Sequence, residues 1–500
     1  MSIVPVHGTI DLHSTVNYCL LYFYLPTMSY TRKIAHNTII QIIGKTVSTI
    51  IGIVVIGMLT RYLGESGFGQ YTTIMAFLQF FGVLVDMGLY VVLVKKISEA
   101  NADEEKISST IFTLRLISAI VFLGLAPLIV LWFPYPSIVK WGVLITSISF
   151  LAITLNQLLT GIFQKHLRIE RVTIAEVAGR IILLIGTFLA IRAHLSLLWV
   201  MAVVSAGSAI NFVMLYYFSR QFVRLRWRWD TAVIREVIHD AWPIALSIAF
   251  NLVYFKADTI ILSLFKSQAD VGVYGAAYKV LEVLTTFPAM FAGLILPLLA
   301  GAWAAMDRER FSRVLGKAID AMSMVALPLI VGTFFLAQPV MNLIAPEFRD
   351  SGSLLQILII ATGIIFLGNI FGSAVVAVNR QRTMMWLYLL VAIISLTGYL
   401  VFIPRYSYFG AAWMTVVSES LVTISAALIV LVSTKTRLSL KVFGKSLIAT
   451  AIMAASLQLL HSQHWVLMIG VGAAVYFAAL YLFKAVSKET IKEVMSRDTV

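Results

Sequence analysis

Charged side chains occur inside apolar stretches of this sequence, and they are the residues best suited to chemistry. Each costs about 2.5–3.5 kcal/mol to insert at the centre of a bilayer helix, so it usually faces a cavity or a partner. Cationic side chains could bind a phosphate group, and these are Lys45, Arg115, Arg180, Lys256 and Lys279. Acidic side chains could exchange a proton or a sodium ion, and these are Asp86, Asp258 and Glu282. The sequence therefore predicts an anion-binding, ion-coupled passage without a metal site.

The charges fall at two depths. Four of them lie seven or eight residues from one end of their apolar stretches, and these are Lys45, Asp86, Arg115 and Arg180. At 1.5 Å per residue, this layer is about 11–12 Å deep. Four others lie a similar distance from the opposite end of two later stretches, and these are Lys256, Asp258, Lys279 and Glu282. An anionic headgroup could be passed from the first layer to the second.

Some of these charges could simply neutralise one another. Spacing suggests three candidate ion pairs, which are Lys45 with Asp86, Glu176 with Arg180, and Lys279 with Glu282. Arg115 has no evident local partner. The first layer is then left with an unpaired positive charge, which favours an anionic cargo.

These residues need a membrane-spanning framework, and the composition predicts one. Of the 500 residues, 60% are hydrophobic and 12% are charged, and the mean hydropathy is +0.92. Too little polar surface is left for a water-soluble globule, so we predict an all-α polytopic membrane protein. Apolar windows of about 20 residues give fourteen candidate transmembrane helices. Their limits are 37–59, 70–94, 108–132, 138–163, 172–192, 195–219, 241–265, 271–300, 316–338, 352–378, 383–403, 409–433, 443–461 and 465–484.

The Lys and Arg residues lie mostly on one set of the predicted loops. Twenty-seven fall on one side of the membrane and six on the other. Because cytoplasmic loops are enriched in Lys and Arg, both termini are predicted to be cytoplasmic and the protein to lie in the cytoplasmic membrane. The same distribution accounts for the net charge of +14, so no nucleic acid partner is expected. The single cysteine, Cys19, excludes a disulfide within the chain.

The chain is predicted to consist of two similar halves. Phe68-Gly69-Gln70-Tyr71 lines up with Val271-Gly272-Val273-Tyr274 at an offset of about 203 residues. An even number of helices in each half makes the halves parallel, related by an axis along the membrane normal. We predict an N-terminal extension (1–33), an N-lobe of six helices (34–220), a basic linker (221–240), a C-lobe of six helices (241–434), and two further helices with a cytoplasmic tail (435–500). Translation could begin at Met1 or at Met28.

Catalytic signatures are incomplete wherever they begin. Gly44-Lys45-Thr46 resembles the end of a phosphate-binding loop, but Ile39 stands where the first glycine of that loop should be. No His-Glu-x-x-His motif occurs, and the predicted outer loops are short and nearly free of paired carboxylates. We therefore expect no enzyme and no cofactor apart from a proton or sodium ion as coupling ion.

Short motifs in both halves suggest a family. They are Arg61-Tyr62-Leu63-Gly64, Phe68-Gly69-Gln70-Tyr71, Asp86-Met87-Gly88-Leu89, Lys256-Ala257-Asp258 and Val271-Gly272-Val273-Tyr274-Gly275. In order, spacing and helix count, residues 35–480 resemble the polysaccharide flippases that export O-antigen and oligosaccharides. That family belongs to the superfamily that also holds multidrug and toxic-compound extruders and the lipid II flippase. The family-motif positions are Arg61, Gly64, Gly69, Tyr71 and Gly88.

The resemblance implies two six-helix lobes in a V, as in the multidrug and toxic-compound extruders (MATE-like). It also implies a polyprenyl-pyrophosphate-linked sugar as cargo, which would pass through a polar, partly cationic cavity. Membrane lipids, a glycan polymerase and glycosyltransferases would be the partners. Two other functions stay open, namely an ion-coupled exporter of cationic drugs and a membrane-embedded glycosyl or phosphoryl transferase. The exporter would need carboxylates that are not compensated by cations.

Overall fold

The chain is almost entirely helical in a computed structural model that describes residues 30–99, 102–436, 438–460 and 463–485. Most of the predicted N-terminal extension and of the C-terminal tail lies outside these residues. Thirteen α-helices form within the described ranges, with a short 3-10 turn at Val130–Trp132. The helices are α1 (Tyr30–Asp86), α2 (Leu89–Ile97), α3 (Glu104–Ile129), α4 (Ser137–Lys165), α5 (Ile169–Arg192), α6 (Leu197–Ser219), α7 (Thr231–Phe265), α8 (Gln268–Ala304), α9 (Arg308–Ile344), α10 (Ser351–Ala377), α11 (Gln381–Thr434), α12 (Lys441–Leu459) and α13 (Trp465–Leu482).

Helix α1 folds back on itself at Gly64. The residue has φ 63° and ψ −177°, a conformation that is essentially restricted to glycine. Both ends of the resulting hairpin return to the same side. Lys45 reaches Glu176 at the start of α5, while Tyr90 in α2 donates a hydrogen bond to Gln164 at the end of α4. The hairpin supplies the predicted spans 37–59 and 70–94, and Gly64 of the family motif forms its turn.

Helix α11 makes a second hairpin at Ser407, which has φ 49° and ψ −136°. Its two limbs pack together, because Gly398 of the first limb lies directly against Met414 of the second. In the described part of the chain, twelve segments are long and apolar enough to cross a membrane. Since two of them fold back, the described residues contain fourteen crossings. The prediction of an all-α polytopic membrane protein with about fourteen spans is confirmed.

Two bundles and a peripheral pair make up the fold. Helices α1 to α6 pack together, as do α7 to α11, and the two bundles meet chiefly where α1 crosses α8. Helices α12 and α13 pack on α9, where the Tyr476 hydroxyl donates to the Met324 carbonyl at 2.7 Å. Helix α7 begins at Thr231, inside the predicted linker 221–240, because Asp230 caps its first turn by accepting from the amides of Ala232 and Val233. The linker is therefore helical in its second half.

Candidate functional site

The two bundles touch most closely at a pair of glycines, one in each copy of the internal repeat. A Cβ added to Gly69 would overlap the carbonyl of Gln268 and lie 3.0 Å from the amide nitrogen of Gly272. A Cβ added to Gly272 would overlap the carbonyl of Glu65 and lie 3.1 Å from the amide nitrogen of Gly69. The contacts are reciprocal, as expected where a two-fold pseudosymmetry axis passes between two equivalent helices. Only glycine allows these backbones to approach so closely.

The end of α9 completes this contact. Arg61 donates a hydrogen bond to the carbonyl of Leu343 at 2.7 Å, and the Thr60 hydroxyl donates to the carbonyl of Ile344. These carbonyls lack helical partners and carry the negative end of the helix dipole, so a guanidinium suits them. Thr60, Arg61 and the Gly69–Gly272 crossing together are called the glycine contact below. The family-motif residues Arg61 and Gly69 therefore belong to a contact between the lobes, and Gly64 forms the turn that separates them.

Tyr71, another motif residue, lies at the inner edge of the glycine contact. It is buried, stacks on Phe68 with ring centroids 5.4 Å apart, and lines a cavity between the lobes together with Gln79, Lys279 and Glu282. The cavity has a volume of about 30 Å³, which is close to the share of one water molecule in the liquid. This volume alone does not hold a sugar, but the side chains of Lys279 and Glu282 on its wall are 31% and 28% exposed, so the cavity opens to accessible space beyond it. The expectation of a passage wide enough for a sugar headgroup stays a prediction.

Three predicted residues of the C-lobe come together in this cavity. Glu282 accepts hydrogen bonds from both Lys256 and Lys279, the latter at 2.7 Å. The predicted pair of Lys279 and Glu282 is therefore formed, and Lys256 is a second partner that its spacing did not reveal. Two lysines against one carboxylate leave one positive charge. Lys256 also stands 4.4 Å from the centroid of the Tyr278 ring, a cation–π contact that holds its ammonium over an apolar surface.

Arg180 of α5 approaches Lys279 from the N-lobe. It lies close enough to Lys279 and Tyr71 for its charge to act on both. The predicted ion pair of Arg180 with Glu176 is not among the ion pairs of the described residues. Glu176 instead points to α1 and accepts from Lys45 at 3.5 Å. Among the described residues Arg180 has no ion-pair partner, so one cation of the first layer adds to the lysines of the second in a cationic region between the lobes.

Lys45 and Asp86 do not form the pair that their depths suggested. Lys45 pairs with Glu176, and its side chain remains 43% exposed. Asp86 accepts a 2.6 Å hydrogen bond from Arg115, whose other terminal nitrogen donates to Gln157 at 2.7 Å. Equal depth on different helices did not fix which faces meet. The expectation that Arg115 lacks a local partner is therefore wrong.

Arg115 is fully buried, so in this state its guanidinium is out of reach of a cargo. It holds Asp86, which is the last residue of α1, beside the break at Met87 and Gly88, where φ is 42° and 76°. The family-motif residue Gly88 thus lies in the joint between α1 and α2. The assigned roles of Arg115 in substrate binding and of Asp86 in ion coupling remain predictions, while the geometry shows both residues bracing this joint.

Asp258 occupies a closed polar pocket of the C-lobe. Its carboxylate accepts from the Tyr274 hydroxyl at 2.5 Å and from the backbone and hydroxyl of Thr259 at 2.5 and 3.1 Å. The Thr415 hydroxyl lies 3.5 Å away on α11. A fully buried carboxylate surrounded by hydroxyl groups can exchange protons or hold a small cation. The part of the chain that the structure describes contains no cluster of three metal-ligating side chains.

A second contact between the lobes consists of ion pairs. Lys96 of α2 reaches Glu236 of α7 at 2.5 Å, and Lys95 reaches Asp240 at 2.9 Å. The hydrogen bond from Lys95 and its positive charge hold the pKa of the Asp240 carboxyl below its usual range. Beneath these pairs, Val237 of α7 and Leu93 of α2 are both buried in one apolar cluster. We call these residues the ion-pair contact.

Several site residues were not predicted from the sequence. Glu176 was noted only as a partner of Arg180, Tyr274 only as part of the repeat motif, and Gln157 and Thr415 were not considered. The only sequence signal of Glu176, Gln157 and Thr415 is that each is a polar residue within an apolar stretch, which many structural residues share. Glu236 and Asp240 could have been found, because they are acidic residues spaced four apart on the basic linker and such a pair faces one side of a helix.

Two families match this chain. The family described as polysaccharide biosynthesis protein matches residues 34–303, and the family described as MatE matches residues 243–401. The capsular polysaccharide biosynthesis protein CapF of Staphylococcus aureus is 20% identical over 287 residues, which cover 57% of this chain and 72% of CapF. The probable flippase AglR of Haloferax volcanii is 21% identical over 208 residues, which cover 41% of this chain and 44% of AglR.

Solved structures share the fold. The lipid II flippase MurJ in an inward closed conformation superposes with a TM-score of 0.73 at 16% identity, covering 88% of this chain and 98% of MurJ. An inward-facing multidrug resistance MATE family transporter of the MOP superfamily gives a TM-score of 0.64 at 12% identity, covering 78% and 94%. At these identities the likeness shows the fold alone.

Proposed function

We propose a function on the premise that this chain belongs to the polysaccharide biosynthesis protein family of the multidrug/oligosaccharidyl-lipid/polysaccharide exporter superfamily. The protein is a multi-pass membrane transporter of that superfamily. Its proposed cargo is a polyprenyl-(pyro)phosphate-linked oligosaccharide or polysaccharide repeat unit, flipped across the cytoplasmic membrane by alternating access. Membrane lipids surround it, and a glycan polymerase and glycosyltransferases are the proposed partners. It is a transporter and not an enzyme in this proposal.

The observation that carries the proposal is the cationic region between the lobes. Arg180 from the N-lobe faces Lys279 from the C-lobe, and Glu282 is shared by two lysines. The excess positive charge would bind the phosphates, with Lys45 at the entrance. A phosphate bound there would relieve the repulsion between Arg180 and Lys279. An anionic cargo is thus favoured over a cationic one.

The two contacts between the lobes provide the alternation. We assign the ion-pair contact to the cytoplasmic side, because it lies among the loops that contain most of the Lys and Arg residues. The glycine contact then closes the outer side. Cargo transfer by alternating access requires that each contact open while the other is closed.

Coupling to an ion is proposed at Asp258. Its hydroxyl neighbours come from α8 and α11, so a change in its protonation or sodium occupancy would alter the packing of three helices. Asp86 and Glu282, the other predicted coupling residues, are bound by one and two cationic side chains respectively in this state. Either would need its partner to leave before it could take up an ion.

Charge reversal tests the proposed cargo. We expect Arg180→Glu and Lys279→Glu each to reduce export of lipid-linked glycan at least tenfold in cells that lack their own flippase, because an acidic side chain would repel the phosphates. Lys317→Glu, on an exposed turn of α9, is the matched control and should export normally. Normal export by both cavity variants would disprove the proposal.

A proton- or sodium-coupled exporter of cationic drugs is the alternative. The match of residues 243–401 to MatE and the enclosed carboxylate of Asp258 favour it. In that case Asp258→Asn would abolish resistance to cationic drugs, while Arg180→Glu would preserve or strengthen it. For a glycan flippase we expect no drug resistance in either protein.

A further inference from the structure

The linker between the lobes begins as an extended segment attached to α3. The backbone amide of Arg226 donates to the Ser109 hydroxyl at 3.2 Å, and that of Arg228 donates to the Thr113 hydroxyl at 3.1 Å. Two residues of extended chain, from Arg226 to Arg228, span about 6.6 Å. Four residues of helix, from Ser109 to Thr113, rise about 6 Å. The spacing of the two amides therefore matches that of the two hydroxyls. Both hydroxyls are buried. The segment is therefore a fixed part of the surface.

Its side chains are unusually exposed for their size. Trp227 is 69% exposed and Trp229 is 55% exposed, although Leu225 beside them packs against the apolar cluster around Phe163. The segment runs alongside the first three turns of α3, so it lies at the level where the bilayer meets water. Tryptophan is enriched at that level, because its ring is apolar and its N–H is polar. The two indoles are thus placed to enter the headgroup layer.

The neighbouring carboxylates already have cationic partners, and Glu105 lies 3.7 Å from Arg226 of the segment itself. Lys106 binds Asp230 at 2.7 Å, and the lysines of the ion-pair contact bind Glu236 and Asp240. Within the described part of the chain, Arg224 and Arg228 have no ion-pair partner, and both are exposed. Arginine presents a planar fork of donors that matches a phosphate in two hydrogen bonds. The acids nearby therefore leave two arginines free for phosphate.

We propose that Arg224 and Arg228, with Trp227 and Trp229, form a binding site for the phosphate headgroup of an anionic phospholipid in the leaflet beside the linker. The guanidinium groups bind the phosphate, and the indoles lie among the glycerol backbones. Because the segment connects α6 of the N-lobe to α7 of the C-lobe, a bound lipid would hold the linker against α3. This site is separate from the cationic region between the lobes and does not depend on the nature of the cargo.

Lipid titration of the purified full-length protein tests the site. Native mass spectrometry should show tighter binding of phosphatidylglycerol than of phosphatidylcholine with the same acyl chains. In Arg224→Gln/Arg228→Gln, phosphatidylglycerol affinity should fall by about fivefold for each arginine. Arg380→Gln/Arg382→Gln is the matched control, since both residues are exposed and lie on the same side. Equal affinity in the two double variants overturns the proposal.

A second measurement covers the case in which the double variant does not fold. In nanodiscs, brominated phosphatidylglycerol should quench the tryptophan fluorescence of the unmodified protein more than brominated phosphatidylcholine does. This difference should disappear in Trp227→Phe/Trp229→Phe, and its persistence would overturn the proposal. Displacement of bound phosphatidylglycerol by equimolar farnesyl pyrophosphate would also overturn it, because the site would then belong to a polyprenyl pyrophosphate.

Discussion

The glycine contact and the ion-pair contact join the same two lobes by different physical means. At the glycine contact the two backbones are in direct van der Waals contact. The side-chain hydrogen bonds there are accepted by carbonyls at the end of α9. At the ion-pair contact, lysine side chains reach across to carboxylates that are partly in water, since Glu236 is 65% exposed. The first depends on shape and the second on charge.

The difference determines how each contact can open. Close backbone packing forms in only one geometry, so a small rotation of the lobes removes it entirely. Lysine side chains are flexible and can follow a moving partner. The pair made by Lys95, whose side chain is 63% exposed, contributes about 0–1 kcal/mol, whereas Lys96 is buried and only its partner Glu236 is exposed. The glycine contact should therefore behave as an all-or-none closure that is insensitive to salt. The ion-pair contact should loosen gradually and respond to salt, while it should respond to pH only below the ordinary carboxyl range.

The largest expected effect is that of Gly69→Leu. Its Cβ would overlap the Gln268 backbone, which cannot move aside as a side chain could, so the glycine contact should not close. We expect transport to fall more than tenfold. In a Cys19→Ser background, a cysteine introduced at Thr72 should react at least tenfold faster with a membrane-impermeant maleimide added outside.

Gly124→Leu is the control for this change, because a Cβ at Gly124 meets no atom within 4 Å. It is a substitution of the same size on a transmembrane helix and should leave both measurements unchanged. If Gly69→Leu behaves like the control, shape does not govern this contact.

Charge reversal at Lys96 should have the next largest effect. Lys96→Glu places a second acid beside Glu236 and Asp240, so we expect roughly tenfold slower disulfide formation between cysteines introduced at Leu93 and Val237. Adding Glu236→Lys should restore most of the rate. The control is Arg313→Glu, whose partner Glu309 belongs to the same helix and which should not change the rate. Failure of the exchanged pair to recover would show that charge is not what joins the lobes here.

Sequence reasoning predicted the helices well and their mutual contacts poorly. The fourteen spans could be predicted from the sequence because lipid requires long apolar helices. Gly64 and Ser407, where two helices fold back, fall in the short gaps predicted between spans. Ion pairs such as Arg115 with Asp86 could not be predicted, because the depth of a residue along its helix does not show which neighbouring helix its side chain faces. The motif glycines were recognised as a resemblance, but their reason appeared only when Gly69 and Gly272 met across the lobes.

A smaller effect is expected from pH. The pKa of Asp240 is lowered by its hydrogen bond from Lys95, so its contribution is complete above the ordinary carboxyl value of about 3.9 and is lost as the pH falls through the lowered value. Disulfide formation between Leu93→Cys and Val237→Cys should therefore be constant from about pH 5 to 8 once corrected for thiol ionisation. Asp240→Asn should be slower across that whole range. A wild-type decline that begins near pH 6 would contradict this assignment.

The smallest effect should come from Arg61→Gln. The variant loses a charged donor to the carboxyl end of α9, an interaction worth about 0.3–1 kcal/mol, so the reactivity of Thr72→Cys should rise about two- to fivefold. Arg405→Gln, an exposed arginine elsewhere on the same side, should have no effect. Arg61 and Gly69 stabilise one closure, and Gly69→Leu already abolishes it. Adding Arg61→Gln to Gly69→Leu should therefore change nothing further, whereas independent contributions would multiply.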